Sequence, residues 1–350
     1  LAADARPRDF QKFIAGIMKN YRTTEKIFVF FSCVFVLSGF LFLAGCNQEP
    51  QNRVVLYCSV DDIYARPLIA ELEKKTGLKI DALYDVEAAK TAGLANRIRA
   101  EKNRPRGDVF WSSALLQTLL LQREGLLLEY SPPAAKEIPS AFKDARGAWT
   151  GVGMRRREIV FNKKLRRPPR ALSDLLRPNL KNQIAISNPQ FGTGSDWVAA
   201  LAVRQGQKPT LDYFRALKKN GVRVVPGNGM VAERIAKGDL LAGVTDTDDF
   251  LAQQKNSFAI RLAAPRPPLA INAVEVPGCV AILKGAPHSA NAQKLVDALA
   301  SREFEAQLIA KMKGVTSLRD IKNPPPADTH KWADAWLQIR DPLADILLMP

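Results

Sequence analysis

This 350-residue chain has almost no histidine or cysteine, two of the first and four of the second. His288 and His330 neighbour no nucleophile motif. H-E-x-x-H, C-x-x-C, G-x-S-x-G and the P-loop pattern are all missing, which removes the common signatures of zinc, dithiol, serine-hydrolase and nucleotide chemistry. The chain therefore reads as a non-enzyme without a resident cofactor. A hydrolase working through the carboxylates of Asp61, Asp248 and Asp249 is the less favoured alternative. Dense basic runs are missing too, although the net charge is +16. Arg155-Arg156-Arg157 and residues 163–170 are short and lack an aromatic ladder for stacking bases, so nucleic acid is not an expected partner. No internal repeat or low-complexity tract occurs. With 47% hydrophobic and 25% charged residues, the composition excludes disorder, collagen and small disulfide scaffolds, and the length suits one large or two ordinary globular domains.

A long uncharged run, residues 27–45, follows Lys19, Arg22 and Lys26 and ends in Leu43-Ala44-Gly45-Cys46. Small residues immediately before a cysteine are what a lipoprotein signal peptidase requires, so Cys46 is the expected lipidation site. An uncleaved anchor helix is the plainer alternative. Residues 1–45 then comprise upstream residues and a signal peptide whose pattern begins at Met18, and residues 46–52 form a polar tether. Export leaves Cys58 and Cys279 as the remaining pair, either a disulfide or, by preference, two buried thiols.

From residue 53 onward, short apolar runs alternate with amphipathic segments. Strands are expected at 53–57, 78–84 and 108–111, with helices at 64–75, 88–104 and 115–124, a βαβαβ series implying a mostly parallel sheet. Residues 131–151 read as irregular, and 157–162 as the next strand. A second series follows: strands at 183–187, 222–225 and 240–245, and helices at 196–205, 211–220 and 230–237. Residues 274–283 look like two strands broken at Pro277-Gly278. Helices at 290–299 and 302–312 come next, and the spacing of Trp332, Trp336 and Ile339 suits a docked C-terminal helix. The fold class is thus α/β, with two lobes and a cleft at the carboxyl ends of the strands.

Three loops are candidates for that cleft. Gly192-Thr193-Gly194-Ser195 lies between a strand and a helix, where converging backbone N–H groups form an anion nest; the plainer reading is a glycine turn with Ser195 as helix cap. Gly227-Asn228-Gly229 opens a G-x-G-x-x-A pattern, read as a second anion-facing helix start rather than a dinucleotide fingerprint. Asp246-Thr247-Asp248-Asp249 crowds three carboxylates at a strand end. Such crowding is costly unless a cation or a donor relieves it; the plainer reading is a solvated acidic loop with Asp246 as a cap.

The order of these pieces resembles the ferric-iron type of extracellular solute-binding proteins that feed ABC transporters. Carrying the likeness are the lipobox, the V-V-L-Y strand with its acidic loop, Gly107-Asp108-Val109-Phe110-Trp111, Glu124-Gly125-Leu126-Leu127, residues 155–162, 186–195, 220–228 and 244–249, and Leu283-Lys284-Gly285-Ala286-Pro287-His288. The resemblance covers residues 53–312. It implies a type 2 periplasmic-binding-protein-like fold, two hinge-connected lobes, each a mixed sheet flanked by helices. Lobe I would span 53–153, completed by about 274–320, lobe II 154–273, and residues 321–350 would pack a helix on the lobes. It also implies a monomer, exported and held to a membrane by its lipid, working with a permease and its ATPase.

By the same resemblance, two adjacent iron-binding tyrosines are replaced here by Asp248 and Asp249. A first-lobe histidine falls at Asp61, and a glutamate at Ser113. Asp246 and Asn228 fall where polar residues approach a synergistic anion, Thr193, Gly194 and Ser195 in the anion loop, and Arg155 and Arg157 at the hinge. The implied ligand is iron(III) or another metal with its anion, held by Asp61, Asp248 and Asp249. The alternative is a small phosphorylated or carboxylated organic solute, since Asp61, Asp248 and Asp249 also suit an amine.

Overall fold

The computed structural model describes residues 51–85, 92–257, 259–264, 274–322 and 328–348. Every element below belongs to one compact unit that spans residues 52–350. The expected signal segment and Cys46 lie outside the described residues. No helix among the described residues is long and apolar enough to cross a membrane.

In chain order the elements are β1 (Arg53–Cys58), α1 (Asp62–Thr76), β2 (Lys79–Tyr84), α2 (Ala92–Ala100), β3 (Val109–Ser112), α3 (Leu116–Arg123), β4 (Leu127–Leu128), β5 (Thr150–Asn162), β6 (Ile184–Ser187), α4 (Gly192–Gln205), α5 (Gln207–Lys219), β7 (Arg223–Val225), α6 (Asn228–Lys237), β8 (Ala242–Asp246), α7 (Thr247–Gln254), β9 (Ile260–Leu262), β10 (Val274–Leu283), α8 (Ser289–Leu299), α9 (Arg302–Lys311) and α10 (Trp332–Leu348). α1 stops where Gly77 takes the left-handed conformation and its N–H bonds to the Glu73 carbonyl, the usual glycine C-terminus. The segment expected to be irregular, 131–151, holds two 3₁₀ turns, Pro133–Glu137 and Ser140–Phe142.

Ten strands form one mixed sheet in the order β2-β1-β3-β10-β5-β8-β6-β7, with β4 beside β10 and β9 beside β5. β1, β2 and β3 are mutually parallel, as are β6, β7 and β8, because each set is connected by helical crossovers. Two long strands join the sets. β10 runs antiparallel to β3 through Cys279 to Ile282 and antiparallel to β5 through Val274 to Val280. β5 in turn runs antiparallel to β8 through Arg157 to Phe161. The sheet thus has a first half (β1 to β4 with the end of β10) and a second half (β6 to β9 with the end of β5), joined by two crossing strands.

Two expectations change at this junction. The strand expected at 157–162 begins instead at Thr150, and the pair expected within 274–283 is a single strand carrying a β-bulge at Pro277/Cys279. The bulge explains why Pro277 is tolerated in a central strand: the ladder is interrupted where its missing N–H would be needed. Gly153, opposite the bulge, has φ +66, and a Cβ on Gly278 would lie 2.8 Å from the Val152 carbonyl oxygen. The expected lobe boundary at 153 to 154 falls on this kink. The mostly parallel sheet foreseen from the βαβαβ pattern is therefore mixed.

α10 docks as the tryptophan spacing anticipates, burying Trp332, Trp336, Ile339, Leu343 and Leu347 against α4 and α5. Ile339 is fully enclosed, so truncation to alanine would cost about 2–5 kcal/mol. Cys58 and Cys279 are buried thiols that are not joined in a disulfide.

Candidate functional site

Arg157 projects from the middle of β5 into the interior and is 1% exposed. One guanidinium nitrogen, Nη1, donates to Asp246 Oδ1 at 3.0 Å, Asn228 Oδ1 at 2.8 Å and Thr193 Oγ1 at 3.1 Å, and Nη2 donates to Ser187 Oγ at 2.7 Å. The guanidinium also faces the Trp197 ring, 5.3 Å from its centroid. Asp246 Oδ2 accepts from Thr193 Oγ1 at 2.6 Å and from Asn228 Nδ2 at 2.9 Å. Asp246 occupies the N-cap position of α7 but makes no side-chain cap, because its carboxylate is turned into this network. The network ties together the starts of α4, α6 and α7, three helix N-termini whose N–H ends favour negative charge.

Arg155 lies two residues earlier on the same face of β5, as strand alternation requires. Its Nη1 donates to Asp248 Oδ2 at 3.1 Å and stands 3.9 Å from Asp246 Oδ2. Burial works against the Arg155 cation, but Asp248 and Asp246 more than offset it and raise its pKa. Burial likewise raises the Asp248 carboxyl above its usual range, opposed by Arg155 and reinforced by Asp246 and Asp61. Asp248 Oδ1 is buried without a hydrogen-bond partner. Oxygens of Asp246, Asp248 and Asp249 lie within 4.8 Å of one another. The relief such crowding needs comes from the two guanidinium groups. The acidic run expected as a loop is the first turn of a helix, where carboxylates are stabilised by the dipole.

A cavity of about 250 Å³ adjoins these groups. Seven of the expected residues line it: Asp61, Ser113, Arg155, Thr193, Asn228, Asp246 and Asp249. Arg157 and Asp248 stand behind the wall as supports. Gly194 and Ser195 do not line it. Helix α4 begins at Gly192, so the expected nest is its first turn, and Ser195 does not cap it but donates to the Gly192 carbonyl oxygen at 2.7 Å. A Cβ on Gly194 would come within 2.9 Å of the Asn188 carbonyl oxygen, which makes this glycine a packing requirement. Ser113 is held by its N–H to Ser59 Oγ at 2.9 Å.

Three residues escaped the sequence reading. Phe191, at the N-cap position of α4, supplies an aromatic edge to the cavity. Tyr64, one turn along α1 from Asp61, has its phenol pKa raised by burial and then by Asp248, Asp61 and Asp249, with Arg155 opposing. Asp196 is fully buried in α4; a lone acidic residue opening the otherwise apolar run from Trp197 to Ala202 was the available signal.

The comparisons with known proteins agree with this architecture. A putative 2-aminoethylphosphonate-binding periplasmic protein of Salmonella typhi is 24% identical over 246 residues, covering 68% of this chain and 69% of that protein. Iron uptake protein A1 of a Synechocystis species is 23% identical over 310 residues, covering 82% and 85%. The periplasmic binding protein AfuA from Actinobacillus pleuropneumoniae, solved with exogenous fructose-6-phosphate bound, superposes with a TM-score of 0.74 at 22% identity, covering 85% of this chain and 99% of its own. That likeness establishes the two-lobed periplasmic-binding-protein fold. Residues 59–312 match the bacterial extracellular solute-binding proteins along most of the described chain, and the chain belongs to that family.

Proposed function

We propose that this protein is the lipid-tethered, extracytoplasmic capture component of an ABC importer, and that its ligand is a small organic anion carrying an amine, such as an aminophosphonate or an amino-bearing carboxylate. The polarity of the cavity carries the ligand reading. The starts of α4 and α6, at Gly192-Thr193 and Gly227 to Gly229, together with Arg155, provide an anion-receptive wall. Asp61 and Asp249 line the same cavity, and the Asp248 carboxylate lies behind its wall next to Asp249 in α7, so carboxylate oxygens and negative charge are at hand for the three N–H donors of an ammonium. A volume of about 250 Å³ falls just below the roughly 300–1,000 Å³ of drug-sized pockets, in keeping with a small solute. Ligand contact with both halves would favour a closed form that the permease and its ATPase receive.

A metal ion with a synergistic anion is the second reading, favoured by the 4.8 Å grouping of Asp246, Asp248 and Asp249. It is weakened by the arginines already engaging both Asp246 oxygens' neighbourhood and Asp248 Oδ2. Calorimetry with 2-aminoethylphosphonate, inorganic phosphate and ferric citrate separates the two, alongside elemental analysis of the purified protein. Tight, stoichiometric retention of the aminophosphonate without turnover supports the proposal. A reddish protein with one equivalent of iron overturns it, and steady conversion of bound ligand, lost in Asp248→Ala, would establish a hydrolase instead. The tether at Cys46 is tested by fatty-acid labelling, which a Cys46→Ser protein should fail to take up.

A further inference from the structure

The first turn of α3 has no cap of its own. Leu115 occupies the N-cap position with an apolar side chain, leaving the backbone N–H groups of Leu115 and Leu116 buried at a helix start, where orphan donors are costly. Their partner comes from about eighty residues away: Asp196 Oδ2 accepts from Leu115 N at 2.9 Å and Oδ1 from Leu116 N at 2.7 Å. Asp196 is 0% exposed. α3 belongs to the first half of the sheet and α4 to the second, so one carboxylate bridges the two. Beside it, Cys279 of β10, next to the bulge, donates from Sγ to Thr118 Oγ1 at 3.2 Å, also in α3. The start of α3 is therefore fastened both to the crossing strand and to the opposite half.

Each end of this bridge is close to the cavity wall. Leu115 is two residues after Ser113, and Asp196 is one helical turn after Thr193, on the same side of α4; Ser113 and Thr193 line the cavity from opposite halves. We propose that Asp196 is a positioning residue for ligand capture, fixing the Ser113 turn against the anion-facing start of α4 across the hinge. This inference rests on the capture function proposed above. Asp196 touches no ligand itself; it sets how far apart two walls stand, and a misplacement of about 1 Å in such supports is enough to weaken a site.

The charge state of Asp196 gives the bridge a signature that ordinary packing lacks. Burial pushes its carboxyl up to about 7, against the pull of the Leu115 and Leu116 N–H groups; Asp246 adds to the rise and Arg155 opposes it. Cys279 is the other titratable group facing it, and burial holds that thiol neutral by raising it to about 12. Below about pH 7 the protonated carboxyl has a buried O–H to place and accepts less strongly, so the bridge slackens.

The test uses the full chain with Asp196→Asn and Asp196→Ala. Amide exchange at Leu115 and Leu116 should quicken at least tenfold in both, and affinity for 2-aminoethylphosphonate should fall at least tenfold. In the parent protein affinity should drop between pH 8 and 6, and in Asp196→Asn that drop should flatten. Unchanged exchange overturns the bridge. Faster exchange with unchanged affinity and pH profile overturns the positioning role and leaves a structural cap. If the parent binds none of the aminophosphonate, phosphate or ferric citrate probes, the ligand reading fails separately, and the exchange rates decide the bridge.

Discussion

Arg157 and Asp246 meet at 3.0 Å with both side chains wholly withdrawn from solvent. A buried pair of this kind contributes little over an apolar pair of the same shape, but leaving one member alone is expensive. Asp246→Ala should lower the unfolding free energy by about 3–5 kcal/mol, measured by denaturant titration. The double variant Arg157→Met with Asp246→Leu should recover much of that loss while abolishing ligand binding, because Thr193 and Asn228 lose the groups that orient them.

Asp61 and Asp249 carry the amine preference in the proposed function. Replacing either by asparagine should weaken 2-aminoethylphosphonate by roughly tenfold to a hundredfold, the scale of a hydrogen bond to a charged group. Inorganic phosphate binding should hardly change. Isothermal titration with both probes checks this, and equal losses for both would refute the division of roles.

Asp248 links pH to two quantities with opposite signs. Its folded pKa is raised by burial above the reference value of about 3.9, so the native state binds this proton more tightly than the unfolded chain. For this group alone, stability is therefore lower above the folded pKa and rises as pH falls from there toward about 4. Affinity for an amine-bearing probe should fall over the same interval, since the ionised carboxylate is what attracts the ammonium. Asp248→Asn should remove this group's contribution to both slopes, read by thermal melts and calorimetry across that range.

Gly314 adopts φ +97, and a Cβ there would lie 2.6 Å from the backbone nitrogen of Asp248. Its carbonyl oxygen accepts from Thr247 Oγ1 at 2.8 Å, which seats the start of α7. Gly314→Ala should destabilise the protein by about 1–3 kcal/mol through steric overlap and backbone strain. It should also weaken the probe by displacing Asp248 and Asp249. A denaturant midpoint unchanged from the parent would contradict this.

Thiol chemistry offers a simple check. Cys58 and Cys279 are both 0% exposed, and burial pushes the Cys279 thiol up to about 12. Neither should react with an alkylating reagent in the native protein, both should react in denaturant, and peptide masses should be the same with and without reductant.

Much of the fold was legible because each half obeys local rules. Apolar runs alternate with amphipathic helices, and glycines such as Gly77 mark the stops. The crossing strands were misread because Gly151, Gly153 and Gly278 dilute the apolar pattern just where the strands bend. Asp248-Asp249 looked like a loop, since acidic clusters suit loops and helix first turns alike. The site was legible as a set of strand-end loops. What no local pattern discloses is that Arg155 and Arg157 would meet Asp248 and Asp246, about ninety residues away, or that Asp196 would cap a helix from the opposite half.

The crossing of β10 beside β3 also bears on biosynthesis. β3 ends at Ser112, yet one of its edges is covered only by Cys279 to Ile282, more than 160 residues later. Until that strand emerges, the first half keeps an open sheet edge and exposes the apolar surface that α8 and α9 cover. An emerging chain thus reaches its stable form late. Truncation before residue 283 should leave an aggregation-prone fragment instead of an independent first lobe.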